Sequence, residues 1–166
     1  MASKRYLRKF NANYISVARE IYQDGVQSLE LDLYSQEQIN AWSSISYLPG
    51  VLDRPLDQGR GWVSCLENEI EAFGLRYPLN RLALLYCRGR SFGQGHATAI
   101  LQRIELEAIN EGQESLFAEA SLCSYPLLRR LGWRMIKPQK ILIGGVSFDR
   151  YLMKKQLNKQ LISHLL

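Results

Sequence analysis

Residues 82–112, LALLYCRGRSFGQGHATAILQRIELEAINEG, constrain the fold of this chain more than any other stretch. An apolar run at 82–87 reads as a strand, 88–96 as a basic loop with glycines, and 97–110 as an amphipathic helix. Ala97, Ile100, Leu101, Ile104 and Ala108 fall on one helical face, and Gly112 suits the left-handed residue that ends such helices. Strand, glycine loop and helix start, in that order, aim several free backbone N–H groups at one point, backed by the positive end of the helix dipole. The expected guest is an anion, above all a pyrophosphate, because a side chain at Gly93 or Gly95 would hold a phosphate away from the backbone. The alternative is an ordinary strand-to-helix turn whose glycines serve tight packing.

Three phosphate-binding loops compete for this pattern. A nucleotide P-loop needs Gly-Lys-Ser/Thr after the run, whereas Gly95 is followed by His96 and Ala97. A dinucleotide fingerprint needs G-x-G-x-x-G, whereas Thr98 stands at the last place, and too little chain follows for the rest of a doubly wound sheet. The third pattern is Q/R-x-x-G-x-G/A. Phe92-Gly93-Gln94-Gly95-His96-Ala97 resembles that loop, the pyrophosphate loop of the GNAT superfamily of acetyl-CoA-dependent N-acetyltransferases, except at its first place.

Other segments carry the same resemblance. SLFAEAS (115–121), CSYPLLRRLGW (123–133), Gly145 and Met153-x-Lys155-x-Leu157 are similar to the family's later strand, its short helix ending in Leu-Gly-aromatic, and its closing strand. YSQEQINAW (34–42) and 62–75 resemble its second helix and central antiparallel strands. The resemblance runs from Arg5 to Leu157 and is closest to small bacterial members of unassigned substrate. It implies an α/β (α+β) fold: a mixed, mostly antiparallel central sheet with splayed middle strands, flanked by about four helices. Residues 1–157 would form one N-acetyltransferase-like domain, with an amphipathic tail at 158–166. Leu157, Leu161 and Leu165 give that tail a stripe suited to a short helix on the body or on a second subunit, compatible with a homodimer; a frayed tail is the alternative.

Local signals fill in the scaffold. Residues 5–10 read as a first strand and 13–24 as a helix on Tyr14, Val17, Ala18, Ile21 and Tyr22, stopped by Gly25. Ser35 with Gln38 forms a capping box for a second helix, and Tyr34 with Ile39 the matching hydrophobic staple. Pro49, Gly50, Pro55, Gly59 and Gly61 make 48–61 a loop, which family members use as the substrate-side rim. Strands follow at 62–67, 69–77 and 81–87; short turns imply antiparallel pairing, and the helix after Cys87 implies a crossover to a parallel neighbour.

Composition narrows the class. A chain of 166 residues, 46% hydrophobic and 22% charged, is long enough to bury a sizeable core and is not disordered. No apolar run reaches membrane-span length and no signal-peptide core follows the basic start, so a cytoplasmic protein without membrane attachment is expected. Cys65, Cys87 and Cys123 sit apart among apolar neighbours and read as buried reduced thiols; with only His96 and His164 beside them, no metal site is expected. The net charge of +5 is scattered apart from an N-terminal cluster and Arg81, Arg88 and Arg90. A cofactor bearing three phosphates accounts for the second cluster better than a polynucleotide groove, so no nucleic-acid partner is expected.

The resemblance also implies a site. Acetyl-CoA would be the co-substrate, cradled by Phe92, Gly93, Gln94, Gly95, His96, Ala97 and Thr98, with His96 either touching phosphate or facing solvent. The strand before the loop would offer main-chain groups of Leu85, Tyr86 and Cys87 to the pantetheine arm, with the Cys87 N–H polarising the thioester. Ser121 matches the position that meets the arm from the second strand. The family's tyrosine general acid corresponds to Leu128, and Tyr125, one turn earlier, is the substitute. Glu119 is a candidate base, ahead of Glu67, Glu69 and Glu71. The acceptor would be an amine of a small molecule or peptide, with amines of low pKa preferred. A non-catalytic acyl-CoA-binding or interaction protein on the same scaffold is the alternative, motivated by Phe92 and Leu128.

Overall fold

The computed structural model describes residues 3–158. Its core is a seven-stranded sheet in the order β1-β2-β3-β4-β5-β7-β6, formed by β1 (Arg5–Lys9), β2 (Arg60–Leu66), β3 (Glu69–Arg76), β4 (Arg81–Cys87), β5 (Ser115–Ser121), β6 (Arg134–Ile143) and β7 (Val146–Gln156). Every neighbouring pair is antiparallel except β4 and β5. Those two are joined by a helix crossover, which a parallel pair requires. The mixed, mostly antiparallel sheet with a divergent middle is the fold the sequence implies.

Helices cover both faces. On one lie α1 (Ile15–Gln27) and α2 (Gln36–Ser43), with the short α3 (Asp53–Gln58) beside them; on the other lies α4 (His96–Asn110), and α5 (Tyr125–Arg130) follows β5. Ile21, Val26, Leu75 and Leu84 anchor the first layer of core, and Ile100, Ile104, Leu116 and Met153 the second. The capping box is formed as expected: Ser35 accepts from the Gln38 amide, and the Gln38 side chain accepts from the Ser35 amide. Tyr34 and Ile39, the staple pair, are both buried.

Three expectations are corrected. Helix α1 does not stop at Gly25 but runs through it to Gln27, because Gly25 is needed there for close approach to β4 rather than for a turn. Residues 48–61 are not all loop: α3 forms within them, with Pro55 in its first turn, where a missing N–H costs nothing. Strand β6, for which the sequence carried no reading, includes Pro138 and sits at the sheet edge, where proline is tolerated. Of the free cysteines, Cys65 is buried but Cys123 is exposed. The expected tail at 158–166 lies, apart from Asn158, outside the described residues.

Candidate active site

Strands β4 and β5 pair only at Arg81–Phe117 and Leu82–Ala118, then part. Ala83 is the reason on the β4 side. The register with β3 slips there, so that Leu82 faces Arg76 and Leu84 faces Leu75 with Ala83 unpaired between them, a bulge that bends the strand. Beyond it, the Arg88 amide donates to the Glu71 carbonyl, 2.8 Å. Alternation along an antiparallel ladder then turns the main-chain groups of Tyr86 and Leu84 toward β3 and those of Leu85 and Cys87 toward the gap. On the other wall, the Leu157 amide donates to the Glu114 carbonyl and the Phe117 amide to the Asn80 carbonyl. The same alternation turns Glu119 and Ser121 main-chain groups into the gap. Two strands thus face each other with unpaired polar backbone, which is costly to bury without a partner.

This gap is a cavity of about 150 Å³, lined by Leu85, Tyr86, Cys87 and Phe92 on one side and by Ala118, Ala120, Ser121, Ser124 and Leu128 on the other, with Gly25 and Val26 of α1 above. At its end stands the glycine loop. Gly93 and Gly95 both hold positive φ, 74° and 87°, a conformation that costs other residues about 1–2 kcal/mol. No side chain caps α4, so the amides of Gly95, His96, Ala97 and Thr98 project from the helix start with no intrahelical acceptor. A Cβ at Gly93 would meet nothing within 4 Å, so the space before the loop is open. The loop is stiff nonetheless. Glu71, 3% exposed, accepts from the Arg90 guanidinium and from the Ser91 hydroxyl, and Arg5 donates to the Gln94 carbonyl, 2.8 Å. The Arg90 guanidinium holds the Glu71 carboxyl below the usual carboxylate range. This open cradle of amides fits a diphosphate, and the divergent strands fit an extended amide-bearing arm.

A second cavity, about 300 Å³, adjoins the first on the α1–α2 face. Trp42, Ala83, Tyr86, Glu119 and Ser121 line both, so the two communicate through the parting of the strands. Val51, Leu52 and Pro55, from the segment expected to form a substrate-side rim, line the second.

The structure places the remaining sequence candidates as follows. His96 does not face solvent: it is 2% exposed, and its Nδ1 lies 2.7 Å from the Ser64 hydroxyl on β2, so its side chain is turned from the cradle. Burial, and then the charge of Arg5, push its pKa down. The arginines expected for phosphates are engaged by the protein instead: Arg81 with Glu119, Arg88 with the Ile70 carbonyl, and Arg90 with Glu71. Glu119 borders both cavities but is held by Arg81 at 2.8 Å. Tyr125 packs on Tyr151, ring centroids 4.6 Å apart, with Arg129 at its hydroxyl, and Leu128 and Ser124 face the gap in its stead. Ser121 and Ser124 hydroxyls stand 3.0 Å apart. Burial pushes the Cys87 thiol up to about 12, which keeps it protonated and unreactive near neutrality.

Sequence reading missed the rings around the second cavity. Nothing in the spacing of Tyr22, Tyr34, Trp42 and Phe148 says that they border a void, and Tyr86 enters the sequence reading only for its main chain. Among the described residues no group of His, Cys, Asp and Glu could hold a metal ion, and no helix is long and apolar enough to cross a membrane.

No family model matches the sequence, and no curated protein matches it in sequence. Solved structures do match it in shape. A GCN5-related N-acetyltransferase from Rhodopseudomonas palustris superposes with a TM-score of 0.86 at 21% identity, over 95% of this chain and 99% of that one. The PaiA N-acetyltransferase from Thermoplasma acidophilum, solved with coenzyme A, gives 0.70 at 13% identity, over 92% and 99%. A ribosomal-protein-alanine N-acetyltransferase from Brucella melitensis gives 0.67 at 18%, over 92% and 99%. The parted β4 and β5, the glycine cradle and these superpositions lead to one conclusion: the chain has the fold of the GNAT superfamily of N-acetyltransferases.

Proposed function

We propose that this protein is an acetyltransferase that moves an acetyl group from acetyl-CoA to an amine. One observation carries the reading: the parting of β4 from β5 begins beside Ala83 and ends at the uncapped start of α4. The amides of Gly95, His96, Ala97 and Thr98 would hold the diphosphate, with the Gly93 and Gly95 conformations keeping side chains out of the way. Main-chain groups of Leu85, Cys87, Glu119 and Ser121 would pair with the pantetheine arm. Tyr86 differs from the expectation, since its main chain is spent on β3 and only its ring borders the gap. The Cys87 N–H would polarise the thioester carbonyl, a donor fixed before the reaction and worth about 3–4 kcal/mol in such sites. The transfer needs a neutral amine and a proton for the departing thiolate. The Ser121–Ser124 pair, whose hydroxyls stand 3.0 Å apart on the wall of the gap, would supply the proton in place of Tyr125. A thiol-release assay with acetyl-CoA against a panel of amines tests this, and turnover above the buffer rate on at least one amine is expected.

A second reading, an acyl-CoA-binding protein without turnover, is favoured by one specific arrangement. Leu128, 1% exposed, fills the general-acid position, and Glu119 is already paired. Binding of acetyl-CoA by calorimetry with no thiol release on any amine would select it.

A further inference from the structure

The second cavity has a wall of rings that brace one another. Tyr22 and Tyr86 centroids lie 4.4 Å apart, Tyr34 and Trp42 5.3 Å, and Trp42 and Phe148 6.1 Å. A wall locked in this way is pre-formed, and its volume of about 300 Å³ matches the small end of ligand pockets, room for a group the size of a large side chain. The rim is charged, and the charges are unevenly matched. Glu119 is paired with Arg81, and Asp149 with Lys140 at 2.7 Å. Arg150 donates its Nε to the neutral Gln139 amide oxygen, 2.9 Å, while its terminal nitrogens bond to no other described residue. A half-buried guanidinium therefore lines the cavity with its fork free and no carboxylate of its own.

Resting on the acetyltransferase reading, we propose that the acceptor is a free α-amino acid with a large apolar side chain. The side chain fills the ring-walled cavity, the carboxylate meets the Arg150 fork, and the α-amine is left toward Ala83 and Ser121, where the cavity joins the gap between β4 and β5. The α-amine attacks once its ammonium has shed a proton. The amine nitrogen then bonds to the acetyl carbon, the carbon–sulfur bond breaks, the thiolate takes up one proton, and the second amine proton passes to water.

The experiment is calorimetric titration of the full-length protein, with and without saturating coenzyme A, using L-phenylalanine, L-phenylalaninamide and L-serine. Phenylalanine is expected to bind at least about 10-fold tighter than its amide, the scale of one charge-assisted hydrogen bond, and tighter than serine. Arg150→Gln should weaken phenylalanine by a similar factor and leave the amide unchanged; Arg150→Lys should recover part of the loss. Equal binding of acid and amide, or no binding of phenylalanine, overturns the proposal. The melting shift with coenzyme A alone is read separately. If that shift is absent the acetyltransferase reading falls, while if it is present and phenylalanine does not bind, only the acceptor assignment falls.

Discussion

Gly25 of α1 lies directly against the Cys87 carbonyl of β4; a methyl group built on its Cα would stand 2.6 Å from that oxygen. The contact fixes how closely the helix can sit on the strand that bounds the cleft. Helix propensity alone would favour alanine there by about 1 kcal/mol. Overpacking against backbone costs about 1–3 kcal/mol, so Gly25→Ala should lose up to about 2 kcal/mol net and show a smaller melting shift with acetyl-CoA. Urea unfolding decides the sign, and a stabilised variant would show that the contact yields.

The two loop glycines should separate. Both hold positive φ, so alanine at either costs about 1–2 kcal/mol of backbone strain. At Gly95 the new methyl group also meets the Arg5 guanidinium at 2.8 Å, whereas at Gly93 it enters open space. Gly95→Ala should therefore be the less stable of the two, and Arg5→Ala combined with it should add little further loss. Thermal melts of the single and double variants give the coupling, and additive losses would contradict the contact.

His96 should make stability depend on pH. Its pKa in the folded chain lies below the ordinary value of 6.5, so the unfolded chain binds the proton more readily. The contribution is complete above about pH 6.5 and is lost as pH falls from there through the folded value. Glu71, also lowered, adds a second loss below its ordinary 4.5. Denaturation midpoints between pH 5 and 8 should fall on the acid side in the parent and stay flatter in His96→Gln; parallel curves would show that another group is responsible.

Glu119 should prove a weak base. A working general base contributes about 10²–10⁴-fold. With its carboxylate held by Arg81, Glu119→Gln should lower kcat by less than about 10-fold, and the pH–rate profile should keep its shape. A lysine-type amine is neutral in about one molecule in 2,500 at pH 7, so α-amines should exceed ε-amines in kcat/KM. A drop above 100-fold in Glu119→Gln would restore the carboxylate as base.

What could be read in advance followed from local physics. The cradle at 92–98, the Ser35 capping box and the 81–87 and 115–121 strands each depend on residues close in sequence, and all lie where their pattern puts them. What could not be read depends on partners distant in the chain. Gly25 looks like a helix stop until Cys87 is seen beside it. His96 looks like a loop residue until Ser64, on another strand, takes it inside. Arg88 and Arg90 look like phosphate ligands until β3 supplies Ile70 and Glu71. Charge in a sequence gives no sign of which acid will neutralise it.

The hairpin of β6 and β7 contributes Ile141, Ile143, Phe148 and Arg150 to the ring-walled cavity, while the glycine loop belongs to a segment that ends before β5 begins. On the proposed function, substitutions at these hairpin positions would reshape the acceptor cavity while the Gly93–Gly95 loop keeps its own sequence.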